Sequence, residues 1–178
     1  MMQQSGTQNL LVTGGCRSGK SRFAEEWAET RAVKRLFLAT AQILDNEMAE
    51  RVRRHQAIRG KGWITVEEPL EVTKVILEQG SDVEVILLDC VTLWINNLLM
   101  EEFADQEIED KVRELVAGLA QVSCPVGLVT NEVGWGIVPE HPLGRRFRDL
   151  AGATNRILAK TVDRVVLMVA GIPIIIKG

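Results

Sequence analysis

The sequence predicts an α/β fold, a mostly parallel sheet with helices on both faces and one antiparallel edge strand. Three observations lead there. Short apolar runs of strand length alternate with longer helical patterns along the whole chain. Residues 83–88 are almost continuously apolar, as in a parallel strand buried on both faces. A glycine-rich loop at residues 14–21 joins the first apolar run to a helical one.

In order, residues 9–13 read as a buried strand and 21–31 as a helix. Residues 34–41 (KRLFLATA) read as the second strand. Residues 45–59 read as a helix, with Asp45 as N-cap and Glu47 near its positive end, closed by Gly60-Lys61-Gly62. A short strand at 63–66 and a helix at 69–78 started by Pro69 follow. After the strand at 83–88 come helices at 91–102 and 106–120, then a strand at 126–130. Residues 134–142 are rich in Gly and Pro and read as an irregular loop, and 143–160 as a helix. Strands at 163–169 and 173–177, joined through Gly171-Ile172-Pro173, predict a closing hairpin. With 178 residues and no linker or repeat, residues 1–178 are expected to form one domain.

Composition narrows the function. The chain is 46% hydrophobic and 25% charged, an ordinary globular balance, with a net charge of −3 that argues against general nucleic-acid binding. The first residues carry no apolar secretory segment, and the longest apolar candidate for a membrane span, 165–176, is broken by Gly171 and Pro173. A cytoplasmic protein is expected. Cys16, Cys90 and Cys124 are widely spaced and read as reduced thiols in or near the core. Only His55 and His141 are present, too few for a multi-histidine metal site.

Gly14-Gly15-Cys16-Arg17-Ser18-Gly19-Lys20-Ser21 fits G-x-x-x-x-G-K-[ST] at every fixed position. Such a loop turns backbone N–H groups around a phosphate chain, reaches the outer phosphates with Lys20 and ligates Mg²⁺ through Ser21. Asp89, delivered at the end of an apolar strand, is the matching acid for that metal. It also reads as a cap for the helix beginning at Cys90 and Val91. Base-reading and switch motifs of guanine-specific switch proteins are missing: Asn131-Glu132-Val133-Gly134 does not fit N-K-x-D, and Asp149-Leu150-Ala151-Gly152 matches D-x-x-G only inside a predicted helix. Group transfer to a small molecule is therefore favoured.

Arg51, His55 and Arg59 recur every four residues and share one helix stripe. Guanidinium groups beside an imidazole disfavour its protonation and keep it nucleophilic. The same segment also reads as a solvated face, with Glu47 pairing Arg51 and Glu50 pairing Arg54. Trp63, Trp94 and Trp135 read as packing residues, the commoner role of tryptophan. Arg145, Arg146 and Arg148 read either as phosphate contacts or as a solvated face. His141 reads as a surface residue, and Asn131 and Glu132 receive no assigned step.

Several blocks occur in order: Thr13 to Ser21, Ala39-Thr40-Ala41, Arg51-x-x-x-His55, and Trp63 to Glu67. They continue with Leu87 to Thr92, Val129 to Glu140 (VTNEVGWGIVPE), Phe147-Arg148-Asp149, Gly152 and Asn155. Over nearly its whole length the sequence resembles the bifunctional adenosylcobinamide kinase/adenosylcobinamide-phosphate guanylyltransferases. The resemblance implies a RecA-like sheet, a homotrimer, and an enzyme of cobalamin biosynthesis that uses GTP or ATP with Mg²⁺. Its implied partners are adenosylcobinamide and its phosphate, whose corrinoid surface Trp63, Trp94 and Trp135 are candidates to line. It implies that His55 carries GMP covalently. Nucleotide contacts are implied at Thr13, Gly14, Gly15, Cys16, Arg17, Ser18, Gly19, Lys20 and Ser21. Further contacts are implied at Ala39, Thr40, Ala41, Gln56, Ala57, Ile58, Arg59, Glu67 and Asp89, with Ser21 and Asp89 at the metal. Arg54 stands where some members have a second histidine, and Asp89 where some have glutamate. A kinase without the histidine step, and a nucleotide-binding regulatory protein without group transfer, are the competing readings.

Overall fold

The computed structural model describes residues 8–42 and 60–178. One seven-stranded sheet runs through it in the order β3-β2-β4-β5-β1-β6-β7. These strands are β1 (Leu10–Gly14), β2 (Arg35–Ala39), β3 (Trp63–Glu67), β4 (Val85–Asp89), β5 (Val126–Val129), β6 (Arg164–Val169) and β7 (Ile172–Lys177). All neighbours are parallel except β6 and β7, so the predicted antiparallel edge is present.

Strand alternation sorts the core onto two faces. Leu11, Leu36, Leu38, Ile86, Leu88, Val126 and Leu128 face one way, against helices α2 (Val72–Gln79), α3 (Val91–Met100), α4 (Asp105–Gln121) and α5 (Pro142–Thr161). Leu10, Val12, Phe37, Val85, Leu87, Val129 and Val166 face the other, against Ala24, Trp27 and Ala28 of α1 (Lys20–Glu29). Gly127 explains how α1 comes so close. A Cβ there would lie 2.8 Å from the Trp27 ring and 3.1 Å from Leu87. Both faces of β4 and β5 are thus covered, which is why their sequences lack alternation.

Most boundaries shift by one or two residues from expectation, and three of the differences bear on the local structure. Helix α2 starts at Val72 rather than at Pro69, because the Glu68 carboxylate accepts the Leu70 and Glu71 N–H groups (both 2.9 Å) and holds 69–71 in a turn. Helix α3 ends at Met100, where Glu102 turns to φ 61°. The hairpin turn is Ala170-Gly171, with φ 51° and 83°, and Pro173 lies within β7. An outermost strand tolerates the missing N–H of proline. The predicted helix over 45–59 lies outside the described residues. No helix among the described residues is long and apolar enough to cross a membrane.

Candidate phosphate-binding site

Strand register gathers the candidate residues along the carboxyl edge of the sheet, where open α/β sheets bind ligands. Ala39 sits opposite both Glu67 and Asp89, Asp89 opposite Val129, and Val129 opposite Val12. Thr13 and Gly14 continue β1 just above that row, and the glycine loop follows directly into α1. Glu67 is exposed at the other end of the row, four inter-strand spacings or about 19 Å from β1.

The loop is compact and braced. Arg17 and Gly19 adopt φ 55° and 95°, turning the chain toward the start of α1. The Ser18 carbonyl accepts from Gly171 N (3.1 Å), so the β6–β7 turn supports the loop from behind. The Ser18 hydroxyl is buried with no hydrogen-bond partner among the described residues. Such an orphaned donor in a glycine loop suits an anionic oxygen. Lys20 is buried at the first position of α1, and its Nζ donates to the Gly15 carbonyl at 2.6 Å. Burial lowers the Lys20 pKa, and the nearby Asp89 carboxylate opposes that shift. Lys20 and Asp89 therefore share one electrostatic environment although they come from different strands' ends.

Cys90 occupies the N-cap position of the following helix, its Sγ accepting from Leu93 N at 3.4 Å, and Asp89 ends β4 one residue before it. Burial, followed by the adjacent Asp89 charge, pushes the Cys90 thiol up to about 12, leaving it inert as a nucleophile. Cys124 is also buried, but Cys16 is exposed in the loop itself, which corrects its expected place in or near the core. Among the described residues no three His, Cys, Asp or Glu side chains form a metal cluster. A Ser21–Asp89 pair fits a cation that takes few protein ligands and completes its shell with phosphate and water, as Mg²⁺ does.

Thr40 closes the gap between β2 and β4. Its hydroxyl donates to the Cys90 carbonyl (2.8 Å) and accepts from Cys90 N (2.9 Å). Its own N–H donates to the Asp89 carbonyl at 3.3 Å, and its carbonyl accepts from Asn97 Nδ2 at 2.8 Å. Ala39 and Ala41 flank it, partly buried. His55, Gln56, Ala57, Ile58 and Arg59 lie outside the described residues, as do Arg51 and Arg54.

A polar network that sequence reasoning did not assign runs beneath the loop. Thr13 Oγ1 donates to Glu132 Oε1 at 2.5 Å, and Asn155 Nδ2 donates to the same oxygen at 3.2 Å. Asn155 Oδ1 accepts from Thr130 Oγ1 (2.7 Å), which lies 3.1 Å from Thr92 Oγ1. Glu132 N donates to the Gly14 carbonyl (3.1 Å), and Asn131 N to Thr92 Oγ1 (2.7 Å). The available signal was position: Thr13, Thr130 and Thr92 all lie at or just past the carboxyl ends of apolar strands. Glu132→Ala should strand Thr13 and Asn155 and cost about 1–3 kcal/mol in urea unfolding, while Glu132→Gln, which still offers an acceptor oxygen, should cost less than half as much. Equal losses for the two variants would contradict this account.

The remaining candidates are structural or peripheral. Trp94 is buried, with Nε1 donating to the Leu70 carbonyl at 2.8 Å. Trp63 packs edge-on against Phe37 and beneath Arg35. Arg145 donates to the Pro139 and Glu140 carbonyls, and Arg146 to Asp105 and the Phe103 carbonyl. These two arginines fasten loops and are not a freely solvated face. Arg148 reaches Asp149 at 3.4 Å. His141 is exposed and caps α5, accepting from Leu143 N.

Comparison with known proteins gives a consistent result. The family model described as cobinamide kinase / cobinamide phosphate guanyltransferase matches residues 10–176. Bifunctional adenosylcobalamin biosynthesis protein CobU of Escherichia coli K12 is 42% identical over 180 residues, 94% of this chain and 99% of that protein. CobU of Salmonella typhimurium LT2 matches at the same identity and coverage. Bifunctional adenosylcobalamin biosynthesis protein CobP of Pseudomonas aeruginosa PAO1 is 38% identical over 168 residues, covering 94% and 96% of the two chains. With a glycine loop, a strand-end acid and the Thr-Asn-Glu block on one sheet edge, and with these matches spanning almost all of its length, the chain belongs to the cobinamide kinase / cobinamide phosphate guanyltransferase family.

Proposed function

We propose that this protein, as one domain, catalyses two successive transfers to a corrinoid: a phosphoryl group to the hydroxyl of adenosylcobinamide, then GMP to the resulting phosphate. The observation that carries this reading is the pairing of the Ser18–Lys20 cradle with Asp89 on one sheet edge, in a chain of this family. In the first transfer the acceptor hydroxyl attacks the γ-phosphorus of GTP or ATP, the β–γ bridge bond breaks, and the nucleoside diphosphate leaves. Backbone N–H groups of 14–21, the Ser18 hydroxyl and the Lys20 ammonium hold and neutralise the phosphates. Mg²⁺, held by Ser21 and Asp89, supplies further charge neutralisation when bound. Thr40 acts through position, keeping the end of β2 clasped to Cys90 beside Asp89. Glu67, far along the edge from the glycine loop, joins the nucleotide contacts on the nucleoside side in this reading.

In the second transfer His55 attacks the α-phosphorus of GTP, pyrophosphate leaves, and a phosphoramidate forms. The phosphate of adenosylcobinamide phosphate then displaces the imidazole, giving adenosylcobinamide-GDP. Ala39, Ala41 and the segment Gln56 to Arg59 join the nucleotide contacts in this reading. Homotrimeric assembly belongs to it as well; β7, the outermost strand, presents Ile172, Ile174, Ile175 and Ile176 to its surroundings.

Incubation with GTP labelled at the α-phosphate tests the reading. Wild-type protein should acquire acid-labile label, and His55→Ala should acquire none while still forming adenosylcobinamide phosphate. Equal labelling of the two proteins would remove His55 from the mechanism. Product phosphate without any labelled protein would leave the kinase-only alternative.

A further inference from the structure

The loop that leaves β5 is fastened at both ends and apolar between them. At its start, Glu132 is tied to Thr13, Asn155 and the Gly14 carbonyl. At its end, Arg145 donates to the Pro139 carbonyl at 3.0 Å and to the Glu140 carbonyl at 2.5 Å. Between these clasps Trp135, Ile137 and Val138 are 69%, 96% and 55% exposed. A cluster of large apolar side chains held in water by a fastened loop marks a binding surface.

Its location narrows the occupant. Trp135 is three residues from Glu132, so their Cα atoms lie within about 11 Å. The Glu132 carboxylate in turn touches Thr13, the residue that opens the phosphate loop. The apolar cluster is therefore joined to the phosphate cradle through Glu132 and Thr13. The ligand it fits has a broad body with apolar patches and a reactive arm that enters the cradle. A corrinoid meets that description: a wide ring that carries methyl groups as well as amide side chains, with its hydroxyl on a flexible chain.

We propose that residues 133–140 form the platform for the corrinoid ring, with Trp135 against the ring and Ile137 and Val138 at its rim. The proposal rests on the functional reading above. Cobinamide and cobinamide phosphate share the ring, so one platform serves both transfers and leaves the nucleotide contacts untouched. Tryptophan suits the task because it offers a large flat surface at little conformational cost.

Cobinamide itself is the probe, in two measurements. Equilibrium dialysis reads its binding without turnover, and initial rates give its KM beside that of GTP. Trp135→Ala and the double variant Ile137→Ser/Val138→Ser should each weaken cobinamide binding and raise its KM by about tenfold or more, with the KM for GTP moving less than about threefold. Trp135→Phe, which keeps an aromatic face, should recover most of the loss. Unchanged cobinamide binding in both truncated variants overturns the platform while leaving the enzyme reading intact. A parallel rise in the KM for GTP also overturns it, because the loop would then serve the phosphate site. A changed sedimentation profile with unchanged cobinamide binding assigns the surface to a second copy of the chain and overturns it too. Wild-type protein that neither binds nor phosphorylates cobinamide sinks the functional reading itself, and the platform with it.

Discussion

Lys20→Met should disable both transfers at once, lowering kcat/KM for GTP by about 10²–10³-fold in each. Methionine fills nearly the same buried volume, so the loss isolates the charge. The ammonium has few alternatives in its surroundings: it is buried, rests on the Gly15 carbonyl and lies in the field of Asp89. In the proposed mechanism His55→Ala removes one reaction, whereas Lys20→Met removes the phosphate grip that both need. The relief of a desolvated charge is opposed by loss of the Gly15 hydrogen bond and of the Asp89 attraction, so stability should change only modestly. The same desolvation has a pH consequence. Because burial lowers the Lys20 pKa, the free enzyme loses this proton at lower pH than a solvated lysine would. kcat/KM for GTP should therefore fall on the alkaline side below the ordinary lysine range, and Lys20→Arg should not show that limb. Paired rate assays of the two transfers across pH provide the check; loss of only one transfer would contradict a shared phosphate site.

Gly14→Ala is expected to cost about 2–5 kcal/mol of folding stability. Gly14 adopts φ +147°, and a Cβ there would stand 2.4 Å from the Met168 carbonyl oxygen and 2.9 Å from Ser18 Oγ. The first obstacle is backbone of the neighbouring strand β6, paired with β1 through Met168, so it cannot swing aside as a side chain would. The second is the orphaned hydroxyl of the phosphate cradle, so nucleotide affinity should fall along with stability. Gly15→Ala is the control. A Cβ at Gly15 meets nothing within 4 Å, and its folding stability should stay within about 0.5 kcal/mol of wild type. Urea unfolding of both variants decides the matter; similar midpoints would show that the β6 contact does not constrain the loop.

The strands and the glycine loop were legible because their signals are local. Continuous apolar runs announced β4 and β5, and the spacing of Gly14, Gly19, Lys20 and Ser21 announced the phosphate cradle before any contact was known. The start of α2 was misjudged because a side chain, Glu68, captures the amides that a Pro69-initiated helix would have used. Cys90 illustrates the same limit. Its sequence position marked a helix start, but only the fold puts it at the N-cap position.

What the sequence determined by itself is the chemistry on offer: a loop for phosphate, a lysine, a strand-end acid, a histidine among arginines, and a family block around Glu132. These follow from residue type and short spacing, which chain connectivity alone enforces. The tertiary structure decided which of them meet. Strand order places β5 between β1 and β4, so Glu132 reaches Thr13 across 119 residues of chain and Lys20 feels Asp89 across the sheet edge. Such pairings depend on packing two core faces around one sheet, a property of the whole chain that no local pattern encodes.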